Sequence, residues 1–379
     1  MFGMMESIFR SGGTWARWSS FALTAGFPGV FYKAVEHLND WPTPNLKFVS
    51  FQCQQSVGSS LNEFQYPATV VPPYTLDVCP DRPLLGSVEL SGLPEHFIFS
   101  RPKPRVSSLR RLGLGCGRSP YTIPNLSLLF SACASQLESL SLDASLSSIR
   151  AAIRLEDPPI ASLQVFLPSL RFLSMDFIFS FAWATNVLRI IDAPNVEVFL
   201  CDFQYIGDAG KAEFMRYVSS GRLGGTLQGK PAGDLPGAGP LFPSLHTLGL
   251  PNLSFNDITL GALFDAYTGV TKASLSANAV EFLGRSNKPL PNLKHLRCPN
   301  ENKTVAPVKE LIQQRGDWGM KLSLLELVAG DYRSVGWDTM AAIEHDFERA
   351  ILDGLVVRKI EKFPFGWLGV YDTEDCVPT

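Results

Sequence analysis

A six-residue pattern, apolar-x-x-apolar-x-apolar, returns along most of the chain and limits what it can fold into. Its copies are LKFVSF from Leu46, LGSVEL from Leu85, LRRLGL from Leu109, LESLSL from Leu137, LRFLSM from Leu170, VEVFLC from Val196, LHTLGL from Leu245, VTKASL from Val270, LKHLRC from Leu293 and LSLLEL from Leu322. An eleventh, WSSFAL from Trp18, starts the series. Side chains alternate along a strand, so positions one, four and six are expected to point inward, and positions three, five and the residue after six outward. Each copy is a strand that cannot bury its apolar ridge without a neighbour.

Successive first positions are 28, 39, 24, 28, 33, 26, 49, 25, 23 and 29 residues apart. That is room for a strand, a turn, a return segment and a second turn, the period of leucine-rich repeats. Parallel strands are expected to stack through these crossovers. Pro44-Asn45, Pro168-Ser169, Pro194-Asn195, Pro243-Ser244 and Pro291-Asn292 stand just ahead of five strands. Proline ends a return segment, and Asn or Ser hydrogen-bonds the turn backbone. Helical spacing predicts return helices over 31–40, 125–134, 178–191, 211–219, 257–267 and 305–315. Asp257 is the expected N-cap of its helix, with Ile258, Leu260, Leu263 and Phe264 on one face.

The two longest intervals hold Pro- or Gly/Pro-rich insertions, at about 52–83 and 220–240, the second expected to be a mobile surface loop. After Gly330 the pattern changes. Trp337 to Leu352 has the spacing of an amphipathic helix, and LVVRKIEKF from Leu355 that of a last strand. The fold expected is therefore α/β, a right-handed leucine-rich-repeat-like solenoid over 1–330. It has a curved parallel sheet and irregular helical returns, and 331–379 forms a C-terminal cap.

A formal net charge of -3 and a pI near 6.0 give no basic field for a phosphate backbone, and no apolar run is long enough to span a bilayer. Neither a nucleic-acid nor a membrane partner is expected. Seven scattered cysteines, Cys53, Cys79, Cys116, Cys133, Cys201, Cys298 and Cys376, without Cys-x-x-Cys or zinc-finger spacing, read as reduced thiols rather than metal ligands or disulfides. With no signal-peptide pattern at the N-terminus, an intracellular protein, cytoplasmic or nuclear, is expected. Asn125, Asn252 and Asn302 then match the glycosylation triplet by chance.

Two motifs imitate nucleotide sites. Gly224 to Lys230 fits the Gly-x4-Gly-Lys core of a phosphate loop, but Pro231 stands where Ser or Thr would hold magnesium. Gly113, Gly115 and Gly117 lack the last interval of the dinucleotide fingerprint and suggest a strand leaving into a tight turn. His37, His96, His246, His295 and His345 fall in different repeats with no recurring nucleophile or carboxylate beside them. No catalytic, cofactor or metal residues are assigned, and the chain is read as a non-enzyme.

The open strand face is the better site. Asp143, Asp176 and Asp202 follow three consecutive strands at the same place, so they are expected to form an acidic row, each also able to cap its own turn. Further along, the face carries Lys272, His295 and Arg297. A surface acidic at one end and basic at the other suits a polypeptide partner on the concave face.

The phrases RWSSFAL (17–23), PLLGSVELSGLP (83–94), LRRLGLG (109–115), LESLSLDAS (137–145), LPSLRFLSMDFI (167–178), DAPNVEVFLCDF (192–203) and FPSLHTLGL (242–250) resemble the leucine-rich-repeat region of fungal F-box proteins of the mushroom-forming group. That resemblance implies repeats that hold a substrate for a cullin-RING ubiquitin ligase, docked through an N-terminal F-box. The 17 residues ahead of Trp18 are fewer than an F-box helix bundle occupies. Adaptor docking is thus expected only if an F-box is missing from this chain, and the alternative is a stand-alone scaffold or inhibitor without a ligase role.

Overall fold

The computed structural model describes residues 15–26, 30–31, 33–35, 38, 43–53, 84–93, 108–116, 121–144, 160–203, 210–221, 239–252, 256–286, 289–300, 302–329 and 354–360. They fall into two compact units, Met1–Arg171 with Asn186–Ala193, and Phe172–Thr185 with Pro194–Thr379. The class is α/β, built on parallel strands.

In the first unit β1 (Ser20–Ala25), β2 (Phe48–Cys53), β3 (Ser87–Leu93), β4 (Arg111–Cys116) and β5 (Ser139–Asp143) lie side by side in chain order, every pair parallel. The register aligns the hexads position for position. Phe21, Val49, Val88, Leu112 and Leu140 form one row, and Leu23, Phe51, Leu90, Leu114 and Leu142 the next. Both rows are buried, the most exposed members being Phe21 and Leu23 at 8%. A shorter pair, β6 (Val165–Phe166) with β8 (Ile191–Asp192), forms a separate two-stranded parallel sheet that no sequence period announces.

In the second unit β7 (Phe172–Ile178), β9 (Val198–Phe203), β10 (Thr247–Leu250), β11 (Lys272–Leu275), β12 (His295–Asn300), β13 (Leu324–Ala329) and β14 (Val356–Ile360) repeat the arrangement. Leu173, Phe199, Leu248, Ala273, Leu296 and Leu325 make the continuous inner row. Across the ten regular hexads no first, fourth or sixth side chain is more than 7% exposed, the value at Leu322. Burial on this scale is the main stabilising term for elements too short to persist alone.

Three of the turn side chains bond the preceding repeat, where a bond to their own turn backbone was expected. Asn45 donates to the Ala16 carbonyl at 2.6 Å, Ser169 to Ser135 at 3.0 Å and Asn292 to Thr268 at 3.0 Å. Each side chain just ahead of a hexad caps the carbonyl two residues ahead of the preceding hexad. The side chains therefore tie one repeat to its neighbour, while backbone bonds such as Leu46 N to Thr43 O (3.1 Å) close the turns.

The return helices are α1 (Ile123–Cys133), α2 (Phe181–Ile190), α3 (Lys211–Ser220), α4 (Asp257–Ala266), α5 (Ala277–Arg285) and α6 (Asn302–Asp317). The described residues within 30–38 are helical too, with Phe31, Ala34, Val35 and Leu38 buried. Three differences from expectation have local causes. The N-cap of α4 is Asn256, whose side chain accepts from Thr259 N at 2.9 Å, and Asp257 is the first helical residue. Ile258 is 86% exposed while Leu260, Leu263 and Phe264 are buried, because a residue two places from another lies on the opposite side of a helix. α2 begins only at Phe181, since β7 continues to Ile178 through an irregularity at Phe177, whose φ is 54°.

Gly113 and Gly115 lie inside β4 rather than in a turn after it. A Cβ at Gly115 would fall 2.4 Å from Ser91 Oγ on the adjacent strand, so close approach explains the missing side chain. Of the two insertions, Gln52, Cys53, Ser220, Gly221, Gly239 and Pro240 are described. The rest, with the Gly224–Lys230 motif and the helix expected over 337–352, lies outside the described residues.

Candidate functional site

The outward side of each unit is built from positions three and five of the hexads and the residue that follows them. In the first unit it is mostly small or polar and largely accessible, apart from half-buried Phe48 and buried Ser50. Ser20, Ala22, Thr24, Gln52, Glu89 and Arg111 are exposed, and Ser87, Ser91, Gly113, Ser139, Ser141 and Asp143 are half-buried. Asp143 ends β5 there.

The second unit's outward side is more enclosed. Asp176 on β7 and Asp202 on β9 are only 5% and 3% exposed. Met175 pairs with Cys201 and Ile178 with Phe203, so Asp176 and Phe177 together stand opposite Asp202, a bulge that brings the two carboxylates to neighbouring places. Each has a side-chain donor. Ser174 Oγ donates to Asp176 Oδ2 at 2.7 Å, and Asn252 Nδ2 donates to Asp202 Oδ1 at 2.7 Å. Burial, with Asp202 and Asp176 nearby, pushes the Cys201 thiol well above its ordinary range. Asp176 and Asp202 are thus brought together, and Asp143 belongs to the other unit.

Lys272, His295 and Arg297 are brought together as well. Lys272 pairs in register with His295 and Ser274 with Arg297, while Arg297 pairs with Glu326 on β13. Glu326 organises this cluster. Its Oε2 accepts from His295 Nε2 at 2.7 Å, from Arg297 Nε at 2.9 Å and from Arg297 Nη2 at 2.7 Å. Burial alone would raise the Glu326 carboxyl, but the His295 hydrogen bond and the charge and hydrogen bond of Arg297 outweigh it and hold the group at about 2. Arg297 and Glu326 are both 6% exposed. The end of the face expected to be basic therefore carries a compensating carboxylate at the fifth position of LSLLEL, the position that singled out Arg297 one repeat earlier.

Behind this cluster a cation is held without any carboxylate in its hydrogen-bond set. Arg315 on α6 is 0% exposed. It donates to the carbonyls of Met320 (3.0 Å), Pro289 (3.3 Å), Leu290 (3.2 Å), Pro291 (3.4 Å) and Leu293 (2.9 Å). These bonds fix the turn leading into β12, where Leu290 has φ 46°. Burial lowers Arg315 to about 10, leaving it charged at neutral pH.

The described cysteines, Cys53, Cys116, Cys133, Cys201 and Cys298, are buried and in no disulfide. Burial pushes Cys133 and Cys298 up to about 12, so neither is poised as a nucleophile. Among the described residues no group of three His, Cys, Asp or Glu side chains is placed to hold a metal ion, and no helix is long and apolar enough to cross a membrane.

No family model and no curated protein matches the sequence. A crystal structure of a Bacteroides fragilis protein is similar at a TM-score of 0.40 and 12% identity, covering 94% of this chain and 80% of that one. A likeness at that level carries no functional argument.

Proposed function

We propose that this chain is a right-handed leucine-rich-repeat-type solenoid that binds a protein partner on its outward strand face, in the manner of the substrate-recognition repeats of F-box ubiquitin-ligase receptors. One observation carries the reading. The same three positions of every regular hexad are buried while alternate positions face outward, and the hexads stay aligned on parallel strands within each unit, with bulges only after the hexads, between β3 and β4 and between β7 and β9. A surface so built varies residue by residue without disturbing its core, which is what recognition needs. Buried thiols outside any disulfide, at five cysteines among the described residues, favour a reducing, intracellular compartment.

The test is affinity capture of the tagged full chain from native cells, followed by cross-linking. The reading predicts a partner whose cross-links fall beside Glu89, Arg111 and Asp143 and which is lost from the Gln52→Arg, Glu89→Arg double variant. Cullin-ligase subunits in the same complex would support the receptor role. Their absence beside a retained partner would favour the stand-alone scaffold. A partner that ignores the double variant and cross-links only to the return helices would overturn the proposal.

A further inference from the structure

The first unit has a second ordered surface at the leading edge of its strands. The second residues of successive hexads are joined by backbone hydrogen bonds. Lys47 N donates to Ser19 O at 2.8 Å, Gly86 N to Lys47 O at 3.1 Å, Arg110 N to Gly86 O at 2.8 Å, Glu138 N to Arg110 O at 2.8 Å and Arg171 N to Glu138 O at 2.9 Å. Each link is one strand spacing of about 4.8 Å, so Lys47, Arg110 and Arg171 recur on every second strand, about 10 Å apart. All three are exposed, and Arg111, exposed beside Arg110, reinforces the middle of the row.

The acidic member of the row is Glu138, whose Oε1 lies 3.5 Å from Arg110 Nη1, with the side chains 65% (Arg110) and 42% (Glu138) exposed. An open ion pair of this kind contributes little, so Arg110 can trade Glu138 for another carboxylate at little cost. Gly86 and Glu138 alternate with the cations, so the row is not a continuous positive strip. That disfavours the evenly charged backbone of a nucleic acid and favours separate, spaced carboxylates.

The spacing specifies the shape of such a ligand. A polyproline II segment has three residues per turn and a rise of about 3.1 Å, so every third side chain falls on one side about 9.3 Å apart. We infer that the leading edge of the first unit docks an extended, polyproline-type acidic segment of a protein partner, with carboxylates at every third residue meeting Lys47, Arg110 with Arg111, and Arg171. The inference deepens the receptor reading and rests on it.

Fluorescence anisotropy with the full chain and a labelled peptide of repeating Glu-Pro-Pro tests it. Binding should saturate and weaken with salt. Gln-Pro-Pro repeats, and Glu-Pro repeats that break the spacing, should bind at least about tenfold more weakly. The Lys47→Glu, Arg171→Glu double variant changes exposed side chains of the edge row only and should lower affinity about tenfold, whereas Glu138→Gln, which removes the internal competitor, should raise it about twofold. Three outcomes would overturn the inference: no binding of Glu-Pro-Pro at low salt, equal binding of Gln-Pro-Pro, or tighter binding of single-stranded oligothymidylate. A captured partner that needs Gln52 and Glu89 but ignores Lys47→Glu with Arg171→Glu would sink the edge site and leave the receptor reading standing.

Discussion

Replacing Arg315 probes the least ordinary interaction in the second unit. Of its five bonds, those to Leu293 (2.9 Å) and Met320 (3.0 Å) have good length, and the other three are between 3.2 and 3.4 Å. Hydrogen bonds to a charged donor contribute about 1.5–3 kcal/mol each, so the two short ones account for roughly 3–6 kcal/mol. The long bonds offset part of the cost of keeping the guanidinium out of water. Arg315→Met keeps much of the volume and loses the donors, so it should destabilise by about 3 kcal/mol; Arg315→Ala adds a cavity and should reach about 4–5 kcal/mol. Arg315→Lys supplies three donors from a point charge in place of a planar fork, and about 2 kcal/mol should be lost. The assay is urea unfolding with amide exchange, in which Leu296 and Arg297 on β12 should lose protection before the first unit responds. Because the acceptors are backbone carbonyls, the loss should be the same at pH 7 and pH 4. A neutral or stabilising Arg315→Met, or a loss that vanishes at pH 4, would refute this account.

Glu326 should show the opposite dependence on acid. Its folded value of about 2 lies below the ordinary 4.5, so its contribution, at most about 3 kcal/mol, is complete above pH 4.5 and lost as pH falls from 4.5 to 2; Glu326→Gln should flatten that part of a stability-pH curve. Gly115→Ala should destabilise by about 1–3 kcal/mol through contact with Ser91, and Ser91→Gly should recover most of it in a double-mutant cycle of urea midpoints. In a timed thiol-reagent assay, Cys133, Cys201 and Cys298 should react only on unfolding, and early labelling mapped to any of them by mass spectrometry would contradict the burial described here.

The strands were legible because their code is local. Three apolar positions per hexad specify an inward face by alternation alone, and the same alignment anticipated β14 from LVVRKIEKF. Helix α5 was not. It follows β11 after Ser276 alone, within the shortest interval of 23 residues from Val270 to Leu293. That one residue both leaves the strand and caps the helix, its hydroxyl accepting from Ala279 N at 3.4 Å. No separate turn marks the change of period. The pair β6 and β8 escaped for a related reason, being two residues each and too short for any periodicity to accumulate.

The candidate site was legible as a set of positions but not as a set of charges. Alignment of hexads placed Asp176 beside Asp202, and Lys272 beside His295, which are relations of register. Whether a charge is available to a partner depends on what meets it from elsewhere in the chain, and here Asn252 reaches Asp202 from fifty residues away while Glu326 reaches Arg297 from twenty-nine. A buried charge already bonded in this way is expensive to redirect, since any ligand must first match the bonds it replaces. Exposed charges in weak pairs have no such obligation. Recognition by electrostatics is therefore expected to start from Lys47, Arg110, Arg111 and Glu89, while the His295–Arg297–Glu326 cluster holds strands β12 and β13 of the second unit in register. Charge reversal at Arg111 should then alter partner binding more than it alters stability, and substitution at Glu326 the reverse, a contrast that paired binding and unfolding measurements on the two variants would decide.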